Sequence, residues 1–307
     1  MERYPRCICF LAVFNVKNIS KLSVPQKVAW NYYERLEKEM FLPGKISKLV
    51  KDEPYKTDDT GMSGASILIY KDKVLKVQDY NEEARNEYDM LKYLQGRLPV
   101  PKVYTCEISD GKLYILMEKC QGVMACSQVY MDNPDILCEL MVSGLQKLWS
   151  IDIKDCPSCQ GLSKKLKDAA YNVENGLVDL DNTEPGTFSE DGFKNPAALL
   201  QWLYENKPEE EPVLSHGDYC PQNIFGTGNE VIGYIDLGKT GISDKWCDIA
   251  LCYRSLLHNY NEKYKQHKNN TDEDYNRLFL FNKLGIKPDW NKIQYYILLH
   301  HFTTFLK

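Results

Sequence analysis

The chain has 307 residues, 43% of them hydrophobic, which is enough to bury the core of one large domain or two lobes and sets intrinsic disorder aside. Its 38 basic and 43 acidic residues leave a formal charge of −5, so it lacks the basic footprint of a nucleic-acid partner. Eleven cysteines, odd in number and scattered, read as reduced thiols of a cytoplasmic protein, not as the framework of a small secreted scaffold.

Residues 1–41 lack turn punctuation and read as an N-terminal extension, flexible or not native, with Met40 as an alternative start. The apolar run Cys7–Phe14 is too short for a signal peptide and has no small-residue cleavage site. No stretch approaches the ~18 apolar residues of a membrane span, so no membrane partner is expected.

From Ile46 to Leu49 a short helix is expected, followed by β-type runs at Ala65–Tyr70, Val74–Val77, Lys102–Ile108 and Lys112–Met117. Lys71-Asp72 and Ser109-Asp-Gly111 join them in pairs as hairpins. Between the pairs, Tyr88, Leu91 and Leu94 recur at three-residue spacing, which predicts a helix over Glu82–Leu94 ahead of Pro99-Val-Pro101. After Gly122 the pattern turns to long helical runs at Ile136–Ser150, Ala197–Glu205, Lys245–Tyr260, Tyr275–Leu284 and Trp290–Leu306. The expected fold class is therefore α+β and bilobal: a small antiparallel sheet lobe with one helix over 42–117, a linker at 118–122, and a larger, mainly helical lobe over 123–307. A cleft between two lobes is a common ligand site.

The chemistry concentrates in His216-Gly-Asp218, with Asn223 five positions after the aspartate and Asp236 beyond the next turn. Phosphoryl transfer from a nucleotide needs a carboxylate to orient the acceptor hydroxyl, and a carboxylate plus a side-chain amide to hold Mg²⁺ against the phosphates. Asp218, Asp236 and Asn223 supply them, at the spacing of a protein-kinase catalytic loop. Gly217 stands where that loop has arginine, and Leu237-Gly238 where it has Phe-Gly, which argues for a kinase of small molecules. Lys76, on a strand, suits the lysine that holds the non-transferred phosphates, and Glu82, Glu83 and Glu87 all suit its helical partner. Gly61-Met-Ser-Gly64 is a candidate phosphate-covering turn. His216 reads as a brace for the loop, through a hydrogen bond to Asp248.

Together these residues resemble the aminoglycoside 3'-phosphotransferases over about residues 45–300, most densely at Leu98-Pro-Val-Pro-Lys-Val103, Ser215-His-Gly-Asp218, Ile235-Asp-Leu-Gly238 and Asp244-Lys-Trp-Cys-Asp-Ile-Ala250. The resemblance implies a protein-kinase-like fold with ATP or GTP as co-substrate and Mg²⁺ as cofactor. It also implies Asp218 as catalytic base, Asn223 and Asp236 as metal ligands, and Glu87 as the partner of Lys76. Ser63 is then expected at the phosphates, and the backbone of Glu118 and Cys120 at the adenine edge.

At the acceptor end the chain departs from its relatives. Where they carry acidic pairs suited to a polycation, it has His258-Asn259 and His300-His301. Acidity survives at Asp179, Asp181, Glu184, Glu190 and Asp191, where the family's substrate-covering loop lies. The expected function is transfer of phosphate to an aminoglycoside, which confers resistance. A same-fold kinase of a less cationic small molecule is the alternative, and a nucleotide-binding pseudokinase comes last because no catalytic residue is missing.

Overall fold

The computed structural model describes residues 42–58, 64–260 and 278–303, so the proposed extension 1–41 and the turn containing Ser63 lie outside the described residues. Strands β1 (Lys56–Asp58), β2 (Ser66–Ile69), β3 (Lys73–Asp79), β4 (Val103–Ser109) and β5 (Lys112–Glu118) form one antiparallel sheet in the order β1-β2-β3-β5-β4. Helix α1 (Gly44–Leu49) covers one face and α2 (Glu82–Leu94) the other.

The two-residue period of a strand decides what each face buries. Leu75, Val77, Tyr114 and Leu116 join Leu68, Tyr70 and Ile46 in one apolar cluster. The intervening residues Leu113, Ile115 and Met117 join Ala84, Met90, Leu91 and Leu94 of α2 in the main core. Lys76, between Leu75 and Val77, must then point to the α2 side. Asn81 starts α2 as its N-cap, with Oδ1 accepting from Ala84 N at 2.8 Å, and Glu82 and Glu83 lie in the first turn.

The larger part contains α3 (Gln128–Met131), α4 (Pro134–Trp149), α5 (Leu162–Glu174), α6 (Pro196–Glu205), α7 (Lys245–Tyr260), α8 (Phe279–Leu284) and α9 (Trp290–His300). Two small antiparallel sheets accompany them: β6 (Val123–Met124) with β8 (Ile224–Thr227) and β9 (Glu230–Tyr234), and β7 (Pro212–Ser215) with β10 (Gly241–Asp244). Helix α5 has no counterpart in the sequence reading, because its buried residues Leu162, Leu166 and Ala169 are sparse in a polar segment. The run expected to stay helical to Leu306 stops at His300 and turns over His301–Thr303. Of the expected helix Tyr275–Leu284, Phe279–Leu284 is formed and 275–277 lie outside the described residues. All nine cysteines among the described residues are free thiols, and none of the described helices is long and apolar enough to cross a membrane.

Helix α4 carries the loops that matter. Tyr219 Oη donates to Met141 O at 2.8 Å, and Tyr234 Oη donates to Gly144 O at 2.9 Å. Both rings are fully buried, so these bonds satisfy hydroxyls that would otherwise be costly. The close approach depends on Gly144, where an added Cβ would collide with the Tyr219 hydroxyl. Elsewhere in a helix, Gly→Ala gains up to about 1 kcal/mol. At this position overpacking and a disturbed buried hydrogen bond outweigh that gain, and Gly144→Ala should destabilise the protein by about 1–3 kcal/mol. Urea denaturation reads the shift in midpoint, and an unchanged or higher midpoint would contradict the packing account.

Candidate active site

Strand β7 ends at Ser215, and the chain turns at His216-Gly217-Asp218. Gly217 has φ +81°, and a Cβ there would run into Lys239 O, so the position needs glycine. Asp248 of α7 is fully buried and accepts from His216 N (2.8 Å) and Gly217 N (2.9 Å). Burial pushes its carboxyl up, against the pull of His216 and of those two N–H groups. The expected brace between His216 and Asp248 therefore runs through main-chain N–H, and the imidazole has a different task. Its Nε2 lies 3.0 Å from Ile235 O, a carbonyl that can only accept, while Asp218 N donates to Nδ1 at 3.3 Å. That pair of contacts fixes the tautomer and ties the Asp218 turn to the residue before Asp236.

Asn223 extends the same unit. Its Nδ2 donates to Asp218 O at 2.9 Å, and Ile235 N donates to Asn223 O at 3.0 Å. With the amide nitrogen used internally, the amide oxygen is the atom left to meet a cation. Asp236 adopts a left-handed conformation (φ 60°, ψ 58°), which costs a non-glycine residue about 1–2 kcal/mol. It is held from α2, where Asn86 Nδ2 donates to Gly238 O (2.8 Å) and Thr240 O (2.9 Å).

Lys76 meets two carboxylates: Nζ lies 2.8 Å from Glu87 Oε2 and 2.7 Å from Asp236 Oδ1. Burial works against its ammonium, but the Glu87 and Asp236 charges outweigh burial and hold Lys76 well above the ordinary lysine range. Burial also pushes Glu87 upward. We read Glu87 as ionised nonetheless, because Lys76 Nζ and Gln78 Nε2 (2.7 Å) both donate to it and a protonated oxygen would oppose one of these donors. Of the three glutamates open in the sequence, the structure pairs Glu87 with Lys76, while Glu82 reaches Lys164 at 3.2 Å. Glu83 packs against Gly238.

Asp218 opens to the cleft, with 26% of its side chain exposed. Burial would raise its carboxyl, but His300, Lys239 and His216 outweigh burial and hold it well below the usual carboxylate range. His300 is itself pushed down to about 3, by burial first and by Arg254 second. At neutral pH it therefore acts as an N–H donor, and the charge beside Asp218 is that of Lys239. Its Nδ1 is 3.3 Å from Arg254 Nη1, and its Nε2 is 3.8 Å from Asp218 Oδ1.

The remaining acceptor candidates divide. Glu184 joins the cluster, accepting from His258 Nε2 at 3.0 Å with Arg254 Nε at 3.9 Å, and Glu184 N donates to His301 Nε2 at 3.3 Å. Asp179 caps a local turn by accepting from Asp181 N at 3.0 Å, and Asp181, Glu190 and Asp191 are exposed. At the linker, Glu118 N donates to Lys102 O at 2.8 Å, and Cys120 Sγ packs over Gly233 of β9. Sequence reasoning missed Asn86, Gln78 and Arg254. Gln78 was within reach, lying two residues beyond Lys76 on the same strand face, and Arg254 was visible as the charge that directly follows the apolar run Ile249–Tyr253.

A bilobal fold with a lysine–glutamate pair under a sheet and an aspartate–asparagine loop facing it defines a kinase-like phosphotransferase. The model of the phosphotransferase enzyme family matches residues 67–279. An aminoglycoside 3'-phosphotransferase of Enterococcus faecalis is 40% identical over 276 residues, spanning 85% of this chain and 98% of that one. One of Staphylococcus aureus is 39% identical over 275 residues, with the same shares of both chains. A solved structure of an aminoglycoside phosphotransferase from Streptomyces rimosus superposes with a TM-score of 0.71 at 19% identity, covering 84% of this chain and 96% of that one, a likeness of fold. The chain belongs to the aminoglycoside 3'-phosphotransferase family.

The low value of His300 has a consequence for stability. Below its ordinary value of 6.5 the unfolded chain takes up a proton that the folded chain refuses until about 3, so stability falls as the pH drops through this window. The loss from this residue is at most about 1.4 kcal/mol per pH unit. His300→Gln should flatten the fall in unfolding free energy between pH 6.5 and about pH 5, measured by urea titration. An equally steep fall in the variant would contradict the buried, neutral imidazole.

Proposed function

We propose that the protein transfers the γ-phosphate of ATP or GTP to a 3'-type hydroxyl of an aminoglycoside, a modification that confers resistance to the antibiotic. The observation that carries this reading is the single hydrogen-bonded unit in which Lys76, Glu87, Asp236, Asn223 and Asp218 meet at one cleft. The acceptor class rests on the relatives at about 40% identity, whose names give that activity. Residues 42–117 would form the nucleotide lobe and 118–122 the linker, with the acceptor lobe beyond.

Lys76, kept cationic, would hold the non-transferred phosphates, and Glu87 would keep the ammonium in place when Asp236 turns to other partners. The adenine edge would meet the Glu118 carbonyl and the Cys120 N–H, and Ser63 would reach the phosphates. Asp236 and Asn223 present a carboxylate and an amide oxygen, the hard donors that suit Mg²⁺. Among the described residues no cluster of three or more His, Cys, Asp or Glu offers a dedicated metal cage, and Mg²⁺ is commonly held by one or two protein oxygens with phosphate and water. Bound there, it would supply charge neutralisation at the phosphates.

Asp218 would accept a hydrogen bond from the acceptor hydroxyl and aim its oxygen at the phosphorus. A carboxylate held below the usual range is a weak base, so its main contribution is orientation, with the proton taken late. That suits a loose transition state, which asks little of the nucleophile. Replacing Asp218 or Asp236 with alanine should each lower kcat by about 10²–10⁴-fold, read in a coupled nucleotide-turnover assay with an aminoglycoside. Near-normal rates in either variant would end this mechanism.

A further inference from the structure

Helix α2 reaches the Asp236 loop with two adjacent residues. Glu87 does so through Lys76, whose Nζ lies 2.8 Å from Glu87 Oε2 and 2.7 Å from Asp236 Oδ1. Asn86, turned by about 100° on the same helix, meets the main chain of that loop instead. Its Nδ2 donates to Gly238 O at 2.8 Å and to Thr240 O at 2.9 Å. An amide nitrogen has two donors and both are used, so the side chain has one orientation: turned over, its oxygen would face two carbonyls. Asparagine is a poor residue for a helix interior, and here its side chain has a tertiary partner that a better helix former would lack.

What these two bonds hold is a strained turn. Asp236 has φ 60° and ψ 58°, a conformation unfavourable for a residue with a Cβ. The turn after it closes on itself, with Thr240 N donating to Leu237 O at 3.0 Å, and it rests on the catalytic loop, with Thr240 Oγ1 donating to His216 O at 3.0 Å. Gly238 lies so close to α2 that an added Cβ would run into Glu83 Cγ. Gly238 and Thr240 are both buried, so their carbonyls need donors from the protein. Lys76 is the other tie from this side, but in the proposed reaction its ammonium serves the phosphates. The Asn86 bonds run to main chain and stay in place when Lys76 changes partners.

We propose that Asn86 is a positioning residue for the metal: by donating to Gly238 O and Thr240 O it keeps Asp236 in the left-handed conformation from which its carboxylate meets Mg²⁺. Asn86 itself acts only through the loop. The inference rests on the reading of Asp236 as a Mg²⁺ ligand and extends it to a residue on the opposite lobe.

Calorimetric titration of ADP into the full chain, once with excess magnesium and once with EDTA, separates the contribution of the metal from that of the nucleotide. The wild-type protein should bind ADP more tightly with magnesium. Asn86→Leu, close in size but without a donor, should reduce that gain by about fivefold or more without weakening the metal-free binding. Asn86→Ser, which can keep one donor, should show a smaller reduction, and it carries the test if the leucine variant fails to fold. An unchanged gain in a folded variant overturns this proposal alone. Equal weakening with and without magnesium overturns it as well, because that result marks a general loosening of α2 around Lys76 and Glu87. Magnesium that adds nothing to ADP binding by the wild-type protein overturns the metal reading of Asp236 and this inference with it.

Discussion

The structure depends on one buried cation. Lys76 lies under the sheet, 6% exposed, with Glu87 from α2 on one side and Asp236 from the opposite lobe on the other. A buried ion pair is a poor source of stability, since apolar residues of the same size often serve as well, yet removing one partner strands a charge at a cost of about 3–5 kcal/mol. What the junction gives is position. It fixes the strand, the helix and the Asp236 loop relative to one another, and Asn86 and Gln78 reinforce it from α2 and β3.

From this junction the site extends by short links. Ile235, beside Asp236, accepts from the His216 ring; His216 receives the Asp218 N–H; Asn223 closes back on the Asp218 carbonyl. The whole unit rests on Asp248 below and on the tyrosine contacts to α4. The half proposed to handle the phosphates is therefore held together largely through its own main chain. The proposed acceptor half is assembled differently, from side chains of α7, α9 and the Glu184 segment that hold one another. Such a wall can change its chemistry without disturbing the catalytic loop, which lets a family keep one reaction while acceptors vary.

How much was legible beforehand follows from the same division. Strands β2 to β5, their hairpins and α2 were readable because they obey a period of two or of three to four residues and end at turn residues. Asp218, Asn223, Asp236 and Lys76 stood out because phosphoryl chemistry fixes residue types at fixed offsets. Helix α5, with few buried positions, and strands β6 to β10, two to five residues each, carry too little pattern to stand out. The choice of Glu87 over Glu82 and Glu83 required three dimensions, since adjacent helix positions differ only in which neighbour they meet. His258 and His300 were visible as departures, but their engagement with Glu184, Arg254 and Asp218 joins residues 46 to 82 positions apart, which no local pattern encodes.

The central claim is that Glu87 exists to hold the Lys76 ammonium where phosphates arrive. Calorimetric titration of ADP with magnesium into the wild-type protein and into Glu87→Gln, both confirmed folded, tests it most directly. The amide removes a charge while keeping shape, and affinity should fall by about tenfold or more as the lysine loses its anchor. An unchanged dissociation constant in a folded Glu87→Gln variant would contradict the claim.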